Sequence, residues 1–156
     1  MNEDLVVRLS THPAATWLVK NVASRLDPIL FRATGGRLTS FGPPAMPMLT
    51  LTMTGRRSGK PRSVHLACLP REGDYLVVAS AMGQPKHPAW RYNLEADPAV
   101  EVQIHGERFA GRADVLSEAE KQAAWPSLRR AIPQLAVYEK RTDRDLRVFR
   151  IRRLQK

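Results

Sequence analysis

Met48-Leu-Thr-Leu-Thr-Met-Thr54 alternates apolar and hydroxyl side chains without a break. A period of two places Leu49, Leu51 and Met53 on one face and Thr50, Thr52 and Thr54 on the other, which is the pattern of a half-buried strand. Gly55-Arg-Arg-Ser-Gly-Lys-Pro61 then turns the chain back. In a second strand Val64, Leu66 and Cys68 alternate with His65, Ala67 and Leu69. The two runs read as a hairpin tipped by a basic turn.

Working outward, Arg71-Glu-Gly-Asp74 is a turn and Tyr75 to Ser80 a third strand, apolar enough to be buried on both faces. Pro88 suits a helix start, and Asp97-Pro98 ends that helix. Val100, Val102 and Ile104 mark a fourth strand, His105-Gly106 a turn, and Arg108 to Leu116 a fifth strand. Ser117-Glu-Ala-Glu120 is a capping box that opens a helix of about 13 residues before Pro133. A short helical piece around Gln134 to Lys140 precedes a last strand, Leu146 to Ile151. On the N-terminal side, Trp17, Leu18, Val22 and Leu26 recur at helical spacing. Asp27-Pro28 then reads as the start of a separate short helix through Ala33, stopped by Gly35-Gly36, and Gly42 to Pro47 reads as loop. The expected class is α+β: a mostly antiparallel split β-barrel with peripheral helices. The expected organisation is one domain, with 1–47 a helical extension and Pro-rich loop and 48–156 the barrel.

The chain has 156 residues, 43% hydrophobic and 26% charged, enough apolar material for one packed domain. Dinucleotide fingerprints, Walker loops, nucleophile elbows and zincin motifs are missing, and His12, His65, His87 and His105 have no metal-ligand spacing. A lone Cys68 in an apolar alternation reads as core and fits a reducing cytoplasm. Met1-Asn-Glu-Asp4 has neither a basic start nor an apolar run, so no secretory leader is expected.

The net charge is +10, from 25 Lys and Arg against 15 Asp and Glu, which asks for an anionic partner. Two clusters supply much of it. Arg56, Arg57, Lys60 and Arg62 sit on the hairpin turn, with Ser58 as a hydroxyl donor. Turn N–H groups and guanidinium forks together make a carboxylate or phosphate site, although a solvated basic turn has the same composition. Lys140 to Lys156 holds eight more cations and reads as a solvated basic edge.

Thr54 to Arg62, Val78-Ala-Ser80, Lys86-His-Pro-Ala-Trp-Arg-Tyr-Asn93, Asp97 to Ile104, Trp125-Pro126 and Tyr138 through Thr142-Asp143-Arg144, in that order, resemble the deazaflavin-dependent nitroreductase family. The resemblance covers roughly residues 48 to 145. It implies a split β-barrel that takes hydride from the deazaflavin coenzyme F(420) and passes it to a quinone, an activated alkene or a nitro compound. By the same resemblance, Arg56, Arg57, Ser58, Lys60 and Arg62 grip the phosphate and glutamyl tail. Ala79, Ser80 and Gly83 would line the ring and ribityl chain, Lys86, Trp90 and Asn93 would complete the wall, and Tyr138 or solvent would supply a proton. This chain departs from the family pattern at Ala81-Met82, at His65, and in Ile132 to Tyr138, which keeps a single tyrosine.

FMN is the alternative coenzyme, since a basic hairpin also suits one phosphate. A basic nucleic-acid-binding barrel is the further alternative, disfavoured because aromatics are only 6% and threonines flank the basic turn, so no specific nucleic-acid partner is expected. Pairing of two copies is open. So is the seat of the helix around Trp17, on the barrel or against an anionic leaflet beside a membrane quinone.

Overall fold

The computed structural model describes residues 7–8, 11–34, 38 and 46–155. The expected stops at Gly35-Gly36 and most of the Pro-rich loop lie outside them. The described helices of the N-terminal part are α1 (Pro13–Leu18), a π-helical segment (Val19–Ala23) and α2 (Ser24–Ala33). Then come β1 (Met48–Thr54), β2 (Pro61–Ala67), β3 (Leu69–Arg71), β4 (Asp74–Val78) and a 3₁₀ turn (Ala81–Gly83). The remainder is α3 (Ala89–Ala96), β5 (Ala99–Ile104), β6 (Glu107–Val115), α4 (Glu118–Ala131), α5 (Leu135–Arg141) and β7 (Val148–Arg153).

All strand pairs are antiparallel, in one sheet ordered β2-β1-β5-β6-β7-β4-β3. The α+β class and curled antiparallel barrel expected from the pattern are what the sheet shows. One expectation needs correction. The run from Val64 to Leu69 is not a single strand: β2 and β3, at opposite edges of the sheet, are separated only by Cys68. One stretch of chain therefore serves both edges, and the sheet curls into a half-barrel whose two edges are joined through Cys68. The Cys68 N–H donates to Pro47 O at 2.9 Å, so the corner is tied to the start of β1.

The inward stripe Leu49, Leu51 and Met53 meets Val100, Val102, Ile104, Val77, Phe149 and Ile151 in the barrel core. The opposite face of β4 and β7, with Leu76, Val78 and Val148, is covered by Leu128 of α4 and Leu135 of α5. That explains why β4 reads as a continuous apolar run: both its faces are buried. The capping box at α4 is present, with Ser117 N–H donating to Glu120 Oε2 at 2.9 Å and Glu120 N–H to Ser117 Oγ at 3.2 Å.

The N-terminal helices also differ from expectation. Asp27-Pro28 opens no new helix; the chain stays helical from Pro13 to Ala33. Pro28 lies in the second turn of α2, just past the π-helical segment, where the Ser24 N–H reaches back to Val19 O. A widened π turn lets a helix accommodate a missing donor without stopping. Phe31 is buried and tilts on His65 at 4.2 Å between ring centres. His65 in turn pairs with Thr50 Oγ1 at 3.2 Å. This end of the helix packs on the β1–β2 hairpin, while Trp17, Leu26 and Ile29 remain exposed. Among the described residues no helix is long and apolar enough to cross a membrane.

Burial also pushes the Cys68 thiol up, to about 12. The thiolate is the reactive form, so native protein at pH 8 should resist alkylation and react fully only when unfolded. Mass-spectrometric labelling with and without denaturant checks this; rapid native labelling would mean the β2–β3 corner opens.

Candidate functional site

Strand β1 delivers the chain to Gly55 at the barrel rim. Gly55 N–H donates to Lys60 O and Gly59 N–H to Gly55 O, each at 2.8 Å, which closes the turn. A Cβ on Gly55 would fall 2.7 Å from Ser58 Oγ and 3.2 Å from Lys60 O, so the tight return to β2 needs glycine here. Helix α3 braces the turn from outside: Asn93 Oδ1 accepts the Arg56 N–H at 3.1 Å, and the Arg56 guanidinium lies 4.9 Å from the centre of the Tyr92 ring. Trp90, on the same helix, tilts against Phe149 of the core at 5.7 Å. Trp90 therefore anchors α3 and also faces the cavity beside it.

That cavity has a volume of about 640 Å³. Arg56, Arg57, Ser58 and Arg62 line it with Trp90 and Asn93, over Met53 and Val64 of the hairpin. Of the residues expected at the site, these six come together. Lys60 and Lys86 are exposed and outside its wall; Lys60 contributes its carbonyl to the turn. Ala79, Ser80 and Gly83 belong to a neighbouring loop that reaches the cavity's His87 through Arg144. Tyr138 lies behind that loop. Its ring packs with the Leu128 and Leu135 cluster, and its backbone faces Gly83.

The two basic clusters differ in their partners. Four of the C-terminal cations are paired: Arg147 with Glu95 at 2.7 Å, Arg150 with Glu120 at 3.3 Å, Arg152 with Asp114 and Arg153 with Glu107 at 2.5 Å. The expected solvated basic edge thus carries surface ion pairs from Arg147 to Arg153. Among the described residues, no ion pair uses Arg56, Arg57, Lys60 or Arg62, although all four are exposed side by side.

Sequence reasoning missed Ser24, His87 and Tyr92 in the cavity wall, and Arg144 beside it. Ser24 arrives from a helix thirty residues away. His87 drew no attention because it lacks metal-ligand spacing, and the described residues hold no group of three or more His, Cys, Asp or Glu suited to a metal. Arg91 and Arg144 reach His87 Nδ1 at 2.7 and 3.3 Å. Burial, followed by the charges of Arg91 and Arg144, holds the His87 pKa below 6.5. Burial works against the Glu95 carboxylate, but its bonds to Arg91 and Arg147 overcome that and keep its pKa low.

The F420H(2)-dependent quinone reductase family model matches residues 23–152, and the chain belongs to that family. An F420H(2)-dependent quinone reductase of Mycobacterium tuberculosis is 40% identical over 97 residues, covering 60% of this chain. The match spans 64% of that relative's length. Among solved structures, an F420-H2 dependent reductase is 38% identical with a TM-score of 0.62, over 67% of this chain and 93% of its own. A second, described as a domain-swapped dimer, is 32% identical with a TM-score of 0.65, over 88% of this chain and 98% of its own.

Because the folded His87 resists protonation more than the unfolded one, stability should fall as pH drops through about 6.5. The unfolded chain then takes up a proton that the folded chain binds less readily. His87→Gln should reduce the fall in melting temperature between pH 7 and 5, the remainder coming from His65, whose pKa burial also lowers; an unchanged slope in thermal melts would place the titration elsewhere.

Proposed function

We propose that this chain binds reduced coenzyme F(420) and passes its hydride to a quinone-type acceptor. The observation that carries this reading is the contrast in charge pairing. Among the described residues, Arg56, Arg57 and Arg62 line a cavity with an aromatic wall and have no carboxylate partner, while Arg147, Arg150, Arg152 and Arg153 are paired. A flexible polyanionic tail needs several cations and backbone donors near the surface. A flat ring needs apolar wall, which Met53, Val64 and Trp90 offer. The donor set fits the coenzyme at both ends.

When bound, the coenzyme supplies the hydride. The protein's part is to bind, orient and shield. The Gly55 to Arg62 turn holds the tail by charge and N–H donors. Asn93 and Tyr92 fix the turn's position by holding Arg56. Trp90, held against Phe149, gives the wall an apolar surface for the ring. Burial pushes the Tyr138 phenol pKa up, so it stays protonated at neutral pH. Its ring is committed to the helical cluster, and we assign the proton on the acceptor to solvent. One similar structure is described as a domain-swapped dimer, and we infer that this chain also pairs with a second copy.

Replacing Arg56, Arg57 and Arg62 with alanine should weaken coenzyme binding more than 100-fold with the melting temperature kept. Hydrogen bonds to charged groups contribute about 1.5–3 kcal/mol each. Titration followed by Trp fluorescence checks it; an unchanged dissociation constant would sink the site, and FMN in parallel tests the alternative coenzyme. Tyr138→Phe should leave turnover within a fewfold. A fall of about 10²–10⁴-fold would instead make the phenol the general acid.

A further inference from the structure

The loop after β4 carries an unusual backbone. Ala81, Met82 and Gly83 have φ of 44°, 54° and 71°, three left-handed residues in succession, two of them with side chains. Such a run is unfavourable for L-residues and persists only where its surroundings dictate it. Met82 and Ala81 have no flexible glycine to excuse them, so the dictating contacts can be traced.

They converge on Arg144. Its Nε donates to Gln84 O at 2.7 Å, one Nη donates to Ala79 O at 3.1 Å, and the other Nη donates to Ser80 O. The same guanidinium touches His87 Nδ1 at 3.3 Å, and His87 lines the cavity. A rigid planar fork meeting three carbonyls fixes the ends of the loop relative to each other, which a single ammonium cannot do. A second arginine, Arg141, donates to Met82 O at 3.3 Å. Gly83 is pressed on α5: a Cβ there would lie 2.8 Å from Arg141 Cβ and 2.9 Å from Tyr138 O. Around the fork the cations Arg91 and Arg147 and the carboxylates Glu95 and Asp145 balance one another, so Arg144 does not need its own carboxylate. Its charge is spent on backbone oxygens.

We propose that Arg144 is a positioning residue, whose guanidinium holds the Ala79 to Gln84 turn in its left-handed shape and ties it to His87 of the cavity wall. The inference rests on the coenzyme reading above. It adds a residue that touches neither the basic turn nor the cavity, and it assigns the strained loop a cause. Arg144 acts through the loop, by setting how the bound ring lies against it; misplacement on the scale of an ångström is enough to cost about 100-fold in rate.

The test compares the wild-type chain with Arg144→Lys and Arg144→Gln. Amide exchange by NMR, without coenzyme, reads Gly83 and Gln84, whose N–H groups donate to Ser80 O and Ala81 O at 2.9 and 3.0 Å. Coenzyme titration and steady-state kinetics follow. Both variants should keep protected barrel amides while Gly83 and Gln84 exchange at least about tenfold faster. Coenzyme affinity should change only a fewfold, because the basic turn is intact, and turnover should fall about 10- to 100-fold. Methylguanidinium added to Arg144→Gln should restore part of the protection. If Arg144→Gln fails to fold, Arg144→Lys alone decides. Unchanged exchange at Gly83 and Gln84 overturns the strut, and a loosened loop with unaltered turnover overturns its role in catalysis. A wild-type chain that binds no coenzyme would defeat the functional reading instead, and the exchange result would stand apart from it.

Discussion

Cys68 separates two strands that lie at opposite edges of one seven-stranded sheet, and the rest of the molecule depends on that corner. A flat sheet would leave β2 and β3 far apart. Because a single residue joins them, the sheet must curl, and the inward stripes of β1, β5 and β7 then enclose one core. The corner is fully buried and its N–H is bonded to Pro47, so it is held by packing and by a backbone bond together. Curling also sets where the β1–β2 turn projects: at the rim, against α3, where Asn93 and Tyr92 reach Arg56. The functional reading follows from where the curl puts that turn.

Charge is then distributed with a clear division. Surface ion pairs of the kind made by Arg150, Arg152 and Arg153 contribute little each, about 0–1 kcal/mol, and matter chiefly by neutralising one another. Among the described residues the hairpin cations have no such relief. Several like charges on one tight turn repel one another unless an anion joins them, which is why we read the turn as a site for a ligand with more than one negative group. Family membership agrees with a coenzyme of that kind.

Much of this was legible in the residues. The period of two in 48–68, the capping box at Ser117, and the apolar run of β4 gave class and element order, because each is a local consequence of pleat, cap or burial. The basic turn was legible for the same reason: its six-residue return and its cations are contiguous. What escaped was non-local. Nothing near Val64 to Leu69 signals that the strand changes edges, since both halves keep the alternation of a half-buried strand. Pro28 reads as a stop unless the preceding turn widens, and that widening has no local signature. Arg144 stands in a motif whose order was recognised, yet its partners are sixty and more residues away, and its bonds to carbonyls leave no complementary charge to look for.

The central claim is that the Gly55 to Arg62 turn recognises the anionic tail and the cavity wall takes the ring. The most direct measurement compares the intact coenzyme with the same deazaflavin lacking its phosphate and glutamyl groups, each titrated at low and high ionic strength. The account predicts that the intact coenzyme binds at least about 100-fold more tightly at low salt, and that added salt narrows the gap by screening exposed charges within about 10 Å at 0.1 M. Equal affinity for the two, unmoved by salt, would contradict it.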